Sequence, residues 1–147
     1  MTHFADRLSA AIHDKGSAVC VGIDPRVAQL PSEFRPARDT PRESAEAVTR
    51  WAAALLDVVA PLVPVVKPQL AFFECFGAPG FRAYHDTVMA ARDRGLLVIA
   101  DAKRGDIGTT AEAYAEAHFD VVGAAALTVK PYMGRGRVGP YLPHVAV

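Results

Sequence analysis

Four short β-rich runs alternate with helical stretches along the chain, and each run ends in polar or charged residues. The runs cover 18–23, 63–70, 96–100 and 121–129, and no other feature constrains the fold as tightly. Strands alternating with helices of about 10–20 residues favour a parallel sheet joined by right-handed crossovers. Phe4, Leu8, Ala11 and Ile12 share one face of a leading helix over 2–15, with Gly16 as its stop. Thr40-Pro41-Arg42-Glu43 forms a capping box with proline at the first helical position, opening an Ala-rich helix through 60. Residues 25–41 hold four prolines and form a long loop. A third helix spans 79–94 before Gly95, and a second capping box, Thr109 to Glu112, opens a helix to about His118. With 51% hydrophobic and 22% charged residues, the chain has enough apolar material for a core, which excludes disorder.

The polar residues are concentrated at the C-terminal ends of the strands. Side chains two apart on a strand share a face. Cys20, Gly22 and Asp24 therefore go together, as do Val65, Lys67 and Gln69 on the second strand. On the third strand Asp101 and Lys103 go together if the extended geometry persists, and on the fourth Thr128 and Lys130. If the bulky face packs against helices, the ionisable face turns inward and gathers Asp24, Lys67, Asp101, Lys103 and Lys130 at one mouth. A (β/α)8 barrel places its active site there, and an open doubly wound sheet binds ligands at the same carboxyl edge. Charges at a strand end also mark an ordinary exit to solvent. Four ends in register, with Asp101, Lys103 and Asp106 within six residues, point instead to an electrostatic array.

Other classes of function lack support in the sequence. Sixteen Lys and Arg balance sixteen Asp and Glu, which gives no basic footprint for nucleic acid or an anionic membrane. The longest uncharged apolar run, 58–66, is too short to cross a bilayer, and charges occupy the place of a signal peptide's apolar stretch. Cys20 and Cys75 make no disulfide framework and are expected to be buried or half-buried reduced thiols in a cytoplasm. The five histidines have no ligand spacing, so no metal site is expected. Trp51 and Phe72–Phe73 are expected in packing roles. The tail with Gly134, Gly136 and Gly139 between arginines lacks the Gly-Lys-Ser/Thr of a phosphate loop.

The stretch Asp101-Ala-Lys-Arg-Gly-Asp-Ile-Gly-Thr-Thr110 resembles orotidine 5′-phosphate decarboxylase of the mycobacterial type, the type 2 subfamily. Val19-Cys-Val-Gly-Ile-Asp-Pro-Arg26, Val65-Val-Lys-Pro-Gln-Leu-Ala-Phe-Phe-Glu74 and Thr128-Val-Lys-Pro-Tyr-Met-Gly134 support it, in order and at strand spacing. The resemblance implies a (β/α)8 barrel that converts orotidine 5′-monophosphate to uridine 5′-monophosphate without metal or organic cofactor. By that resemblance Asp24 binds the ribose, Lys67 sits in the array and contacts the ribose, and Asp101 lies against the departing carboxylate. Lys103 protonates C6 of the pyrimidine, while Asp106 and Thr110 reach into the site of the partner subunit of a homodimer. Lys130 and Arg137 depart from the family's pattern, each adding positive charge near the mouth.

A barrel of this kind needs about 250 residues. The 147 residues are accordingly expected to be the N-terminal half of a single barrel domain, a fragment holding about the first four βα units and inactive alone. Two alternatives stand beside this reading. One is a sugar-phosphate decarboxylase or aldolase-like barrel lyase, although such relatives use magnesium and carry an acidic residue where Lys67 stands. The other is a non-catalytic fragment or binding module.

Overall fold

The computed structural model describes residues 3–134 and 138–144. Helix α1 (Phe4–Lys15) is capped by His3 and ends at Gly16, which takes the left-handed conformation that glycine adopts without strain. Strand β1 (Cys20–Ile23) follows, then the proline-rich stretch, which carries two short 3-10 turns, Val27–Gln29 and Ser32–Phe34. Helix α2 (Pro41–Val59) leads to β2 (Val65–Pro68), the one-turn α3 (Ala71–Glu74) and α4 (Ala78–Asp93). Strand β3 (Leu97–Arg104), helix α5 (Gly108–Ala115) with a π-helical continuation (Glu116–Val121), and β4 (Ala126–Val129) complete the alternation.

All pairings are parallel, in the order β1-β2-β3-β4. That order separates the two architectures the sequence leaves open. A doubly wound sheet reverses direction at a switch point, whereas strands added one after another in one direction are the first four βα units of a (β/α)8 barrel. Along β1 burial alternates as the face argument requires: Ile23 is fully buried, while Cys20, Gly22 and Asp24 are exposed. On β2, Val65 is buried although it shares the face of Lys67. The core lies on the helical side. Val48, Ala52 and Leu56 of α2 pack with Tyr84, Val88 and Ala91 of α4, with Val66 and Val98 beneath them. Trp51 packs on the edge of this core and Phe73 inside it, as expected; Phe72 instead lies half-buried under the Arg26 guanidinium.

Several local expectations change. At α2 only half of the capping box forms. Glu43 donates its backbone N–H to Thr40 Oγ1 at 3.2 Å, but its carboxylate turns to Arg38, accepting from that residue's backbone N–H and guanidinium. The second capping box does not form at all: Ile107 stands at the N-cap, and Thr109 is already helical. Strand β3 does not end at Asp101 but runs to Arg104. Both cysteines are free and exposed rather than buried, Cys20 because it lies on the face away from the helices. Among the described residues, no helix is long and apolar enough to cross a membrane. Arg137 and Gly136 lie outside the described residues.

Candidate active site

Asp101 is the centre of the charged array. It is 5% exposed, in the second half of β3, and its carboxylate accepts four hydrogen bonds. Lys67 Nζ at 2.8 Å and Gln69 Nε2 at 3.0 Å donate to Oδ2. Lys103 Nζ at 2.5 Å and Thr128 Oγ1 at 2.9 Å donate to Oδ1. Two oxygens with two lone pairs each are thereby fully used, which is the condition for keeping an ionised carboxylate under cover.

Three strands supply these donors, and the parallel register explains why they meet. Lys67 of β2 and Gln69, just past its end, are two apart and so share a face. Gln69 bridges Asp101 directly across the sheet, just beyond the regular β2–β3 pairing. Between β3 and β4 the ladder is irregular. Ala100 pairs with Leu127 and Arg104 with Val129, so three residues of β3 stand against Thr128 alone. This bulge is taken up at Lys103, whose φ of +50° is the one positive value at a non-glycine residue among those described. The left-handed conformation is costly for a side chain with a Cβ. Here it turns the Lys103 ammonium back onto the carboxylate two residues earlier.

The electrostatics follow from this packing. Burial alone raises the Asp101 carboxyl, but the hydrogen bonds from Lys103, Lys67 and Thr128 outweigh it and hold its pKa at about 2. The hydrogen bond to Asp101 holds the Lys67 ammonium above its usual range against the opposing effect of burial, and Asp24 adds attraction. The result is a carboxylate that stays ionised and presents two ammonium groups toward the face left open by the helices. Such an array can receive an anionic ligand and deliver a proton from lysine. Among the described residues, no group of three or more His, Cys, Asp or Glu is placed to hold a metal ion.

The remaining expected residues are placed differently. Asp24 is exposed at the end of β1 and acts on Lys67 only through its charge. Asp106 is not in the cluster; its carboxylate accepts from the Ile107 backbone N–H at 2.8 Å. Thr110, in the first turn of α5, is exposed. Lys130 is also exposed, and its backbone N–H donates to Arg104 O at 2.7 Å. Gln69 and Thr128 received no role from the sequence, although alternation already set each on a face with a lysine. Their contacts to Asp101 depend on cross-strand register, which no local pattern reports.

Comparison with known proteins agrees with this geometry. The orotidine 5′-phosphate decarboxylase / HUMPS family matches residues 17–144. An orotidine 5′-phosphate decarboxylase of Rhodopirellula baltica is 44% identical over 97% of this chain and 50% of its own length. One from Roseiflexus castenholzii is 41% identical over 97% and 49%. The structure of Leishmania donovani OMP decarboxylase superposes with a TM-score of 0.77 at 34% identity, covering 97% of this chain and 50% of that one. The chain thus spans about half the length of the curated relatives it matches. Sequential parallel strands, a lysine-flanked aspartate at their carboxyl ends and a match across nearly the whole chain converge: the chain belongs to the orotidine 5′-phosphate decarboxylase / HUMPS family.

Proposed function

We propose that the protein containing this chain decarboxylates orotidine 5′-monophosphate to uridine 5′-monophosphate in pyrimidine biosynthesis, in the cytoplasm. The observation that carries the reading is the Lys67–Asp101–Lys103 array, with both ammonium groups on one buried carboxylate. In the proposed step the bond from C6 to the carboxylate breaks, carbon dioxide leaves, and the electron pair stays on C6. Lys103 Nζ gives a proton to that carbon and is reprotonated from solvent. The ring stabilises the C6 carbanion poorly, so the barrier falls through charge fixed in advance. Asp101 lies against the departing carboxylate; Lys67 and Asp24 hold the ribose. No metal or organic cofactor takes part in this step. A magnesium-dependent sugar-phosphate lyase is disfavoured because Lys67 occupies the place of the acidic residue such a site needs.

The proposed assembly is a homodimer in which Asp106 and Thr110 serve the partner's site. Their exposed or half-exposed positions, away from the Asp101 cluster, support this. The test is steady-state turnover of the protein expressed from the whole reading frame that encodes these residues. Lys103→Ala is expected to abolish turnover while product binding persists, because the proton is needed only in the transition state. Retention of more than about a tenth of kcat, a loss under about 1.4 kcal/mol, would remove Lys103 from that role. Mixing Lys103→Ala with Asp106→Asn chains is expected to recover activity above either homodimer; no recovery after verified subunit exchange rejects the shared site.

A further inference from the structure

Thr128 is the only residue of β4 set against the three bulged residues of β3, and its hydroxyl is used twice. The hydroxyl hydrogen goes to Asp101 Oδ1 at 2.9 Å, and the oxygen accepts the Lys103 backbone N–H at 3.0 Å. Without the second bond, the Lys103 N–H would lack its partner within an irregular ladder. A left-handed lysine needs surrounding structure to hold it, since the conformation is disfavoured on its own. The first bond fixes the same carboxylate oxygen that receives the Lys103 ammonium. One side chain therefore ties together the strained backbone and the ion pair that this backbone creates.

We propose that Thr128 is a positioning residue: its hydroxyl locks the β3 bulge, and thereby fixes the Lys103 ammonium against Asp101. Hydroxyl geometry is what matters, because a valine has nearly the same shape but neither donates nor accepts. The catalytic part of the inference rests on the decarboxylase reading above; the effect on Asp101 does not.

The test compares Thr128→Val with Thr128→Ser, and with Lys103→Ala as reference, in the protein expressed from the whole reading frame. Thr128→Val is expected to lower kcat about 10–100-fold with KM little changed, as misplacement of a reacting group does. Thr128→Ser is expected to restore most of the turnover. The same pair is followed by carbon-13 NMR of the Asp101 carboxyl across an acid titration: the valine variant should titrate at higher pH than the parent, and the serine variant close to it. Equal losses for valine and serine, or an Asp101 titration unmoved by valine, would overturn the assignment. Thr128→Ala carries the same two outcomes should the valine variant fail to fold. If the parent protein shows no turnover of orotidine 5′-monophosphate, the decarboxylase reading fails. If Lys103→Ala keeps its turnover, Lys103 loses the proton-donor role. In either case the NMR comparison still decides the role of Thr128.

Discussion

His118 sits in the π-helical continuation of α5, 5% exposed, with Nδ1 lacking a partner among the described residues and its ring edge-on to Tyr84. Burial, reinforced by the positive charge of Arg104 and opposed by Glu74, drives its pKa from 6.5 down to about 4. The unfolded chain therefore takes up a proton below about pH 6.5 that the folded chain refuses. Stability should be level above that pH, and fall by about 3 kcal/mol as the pH drops from 6.5 to 4. Urea unfolding at pH 7 and pH 4.5 measures this, and His118→Gln should flatten the slope. Equal slopes for parent and variant would contradict the buried neutral imidazole. Asp101 acts in a separate window. Its contribution, about 2 kcal/mol, is complete above about pH 4 and is lost as the pH falls through about 2. Both residues are short-range readings of very different legibility. Asp101 announces itself beside Lys103 in sequence, whereas a lone histidine among alanines gives no hint that a helix widening and two neighbouring elements will bury it.

At the scale of elements, the close crossing of α3 and α4 depends on Gly80. A Cβ built there falls 1.8 Å from the Phe73 carbonyl oxygen and 3.0 Å from Phe76 Cβ. Replacing glycine by alanine inside a helix ordinarily stabilises by about 0.5–1 kcal/mol. Here the first clash is with backbone, which cannot swing aside, so Gly80→Ala should destabilise by about 1–3 kcal/mol. The sign of the change in urea midpoint at constant slope decides between the two. The one-turn α3 that causes this crossing was hidden in the sequence, because four residues give no helical period to read. The longer elements were visible: α2 through its Thr40–Pro41 start, α1 through the Gly16 stop. The end of β3 is not legible in the sequence, because Asp101 resembles an exit to solvent. The chain instead continues through a bulge that only the opposite strand can stabilise. Alternation set Lys67 and Gln69 on one face, whereas Lys103 meets Asp101 through the bulge, and the contacts of Thr128 and Gln69 to Asp101 required the register of neighbouring strands.

For the molecule as a whole, the sheet has an edge at each end. Among the described residues β1 pairs only with β2 and β4 only with β3, and the face bearing Cys20, Gly22 and Asp24 is open. Unpaired strand edges are templates for pairing with another chain. Beside the β1 edge stands Val19, 56% exposed, with no charge to discourage such pairing. The 147-residue chain expressed by itself is therefore expected to self-associate, with a weight-average mass that rises with concentration in sedimentation equilibrium. Val19→Lys should shift that association to higher concentration, since an edge lysine must be desolvated before a new strand can add. The same preparation is expected to show no turnover of orotidine 5′-monophosphate. The Lys67–Asp101–Lys103 array forms within these four strands, but four strands cannot close a barrel, and a site at a barrel mouth draws on the loops of all eight strands. A mass fixed at the monomer value over the whole concentration range, together with turnover, would contradict both expectations. It would mean that the open edges are protected by the chain's own residues and that the reaction needs no loops beyond those of these four strands.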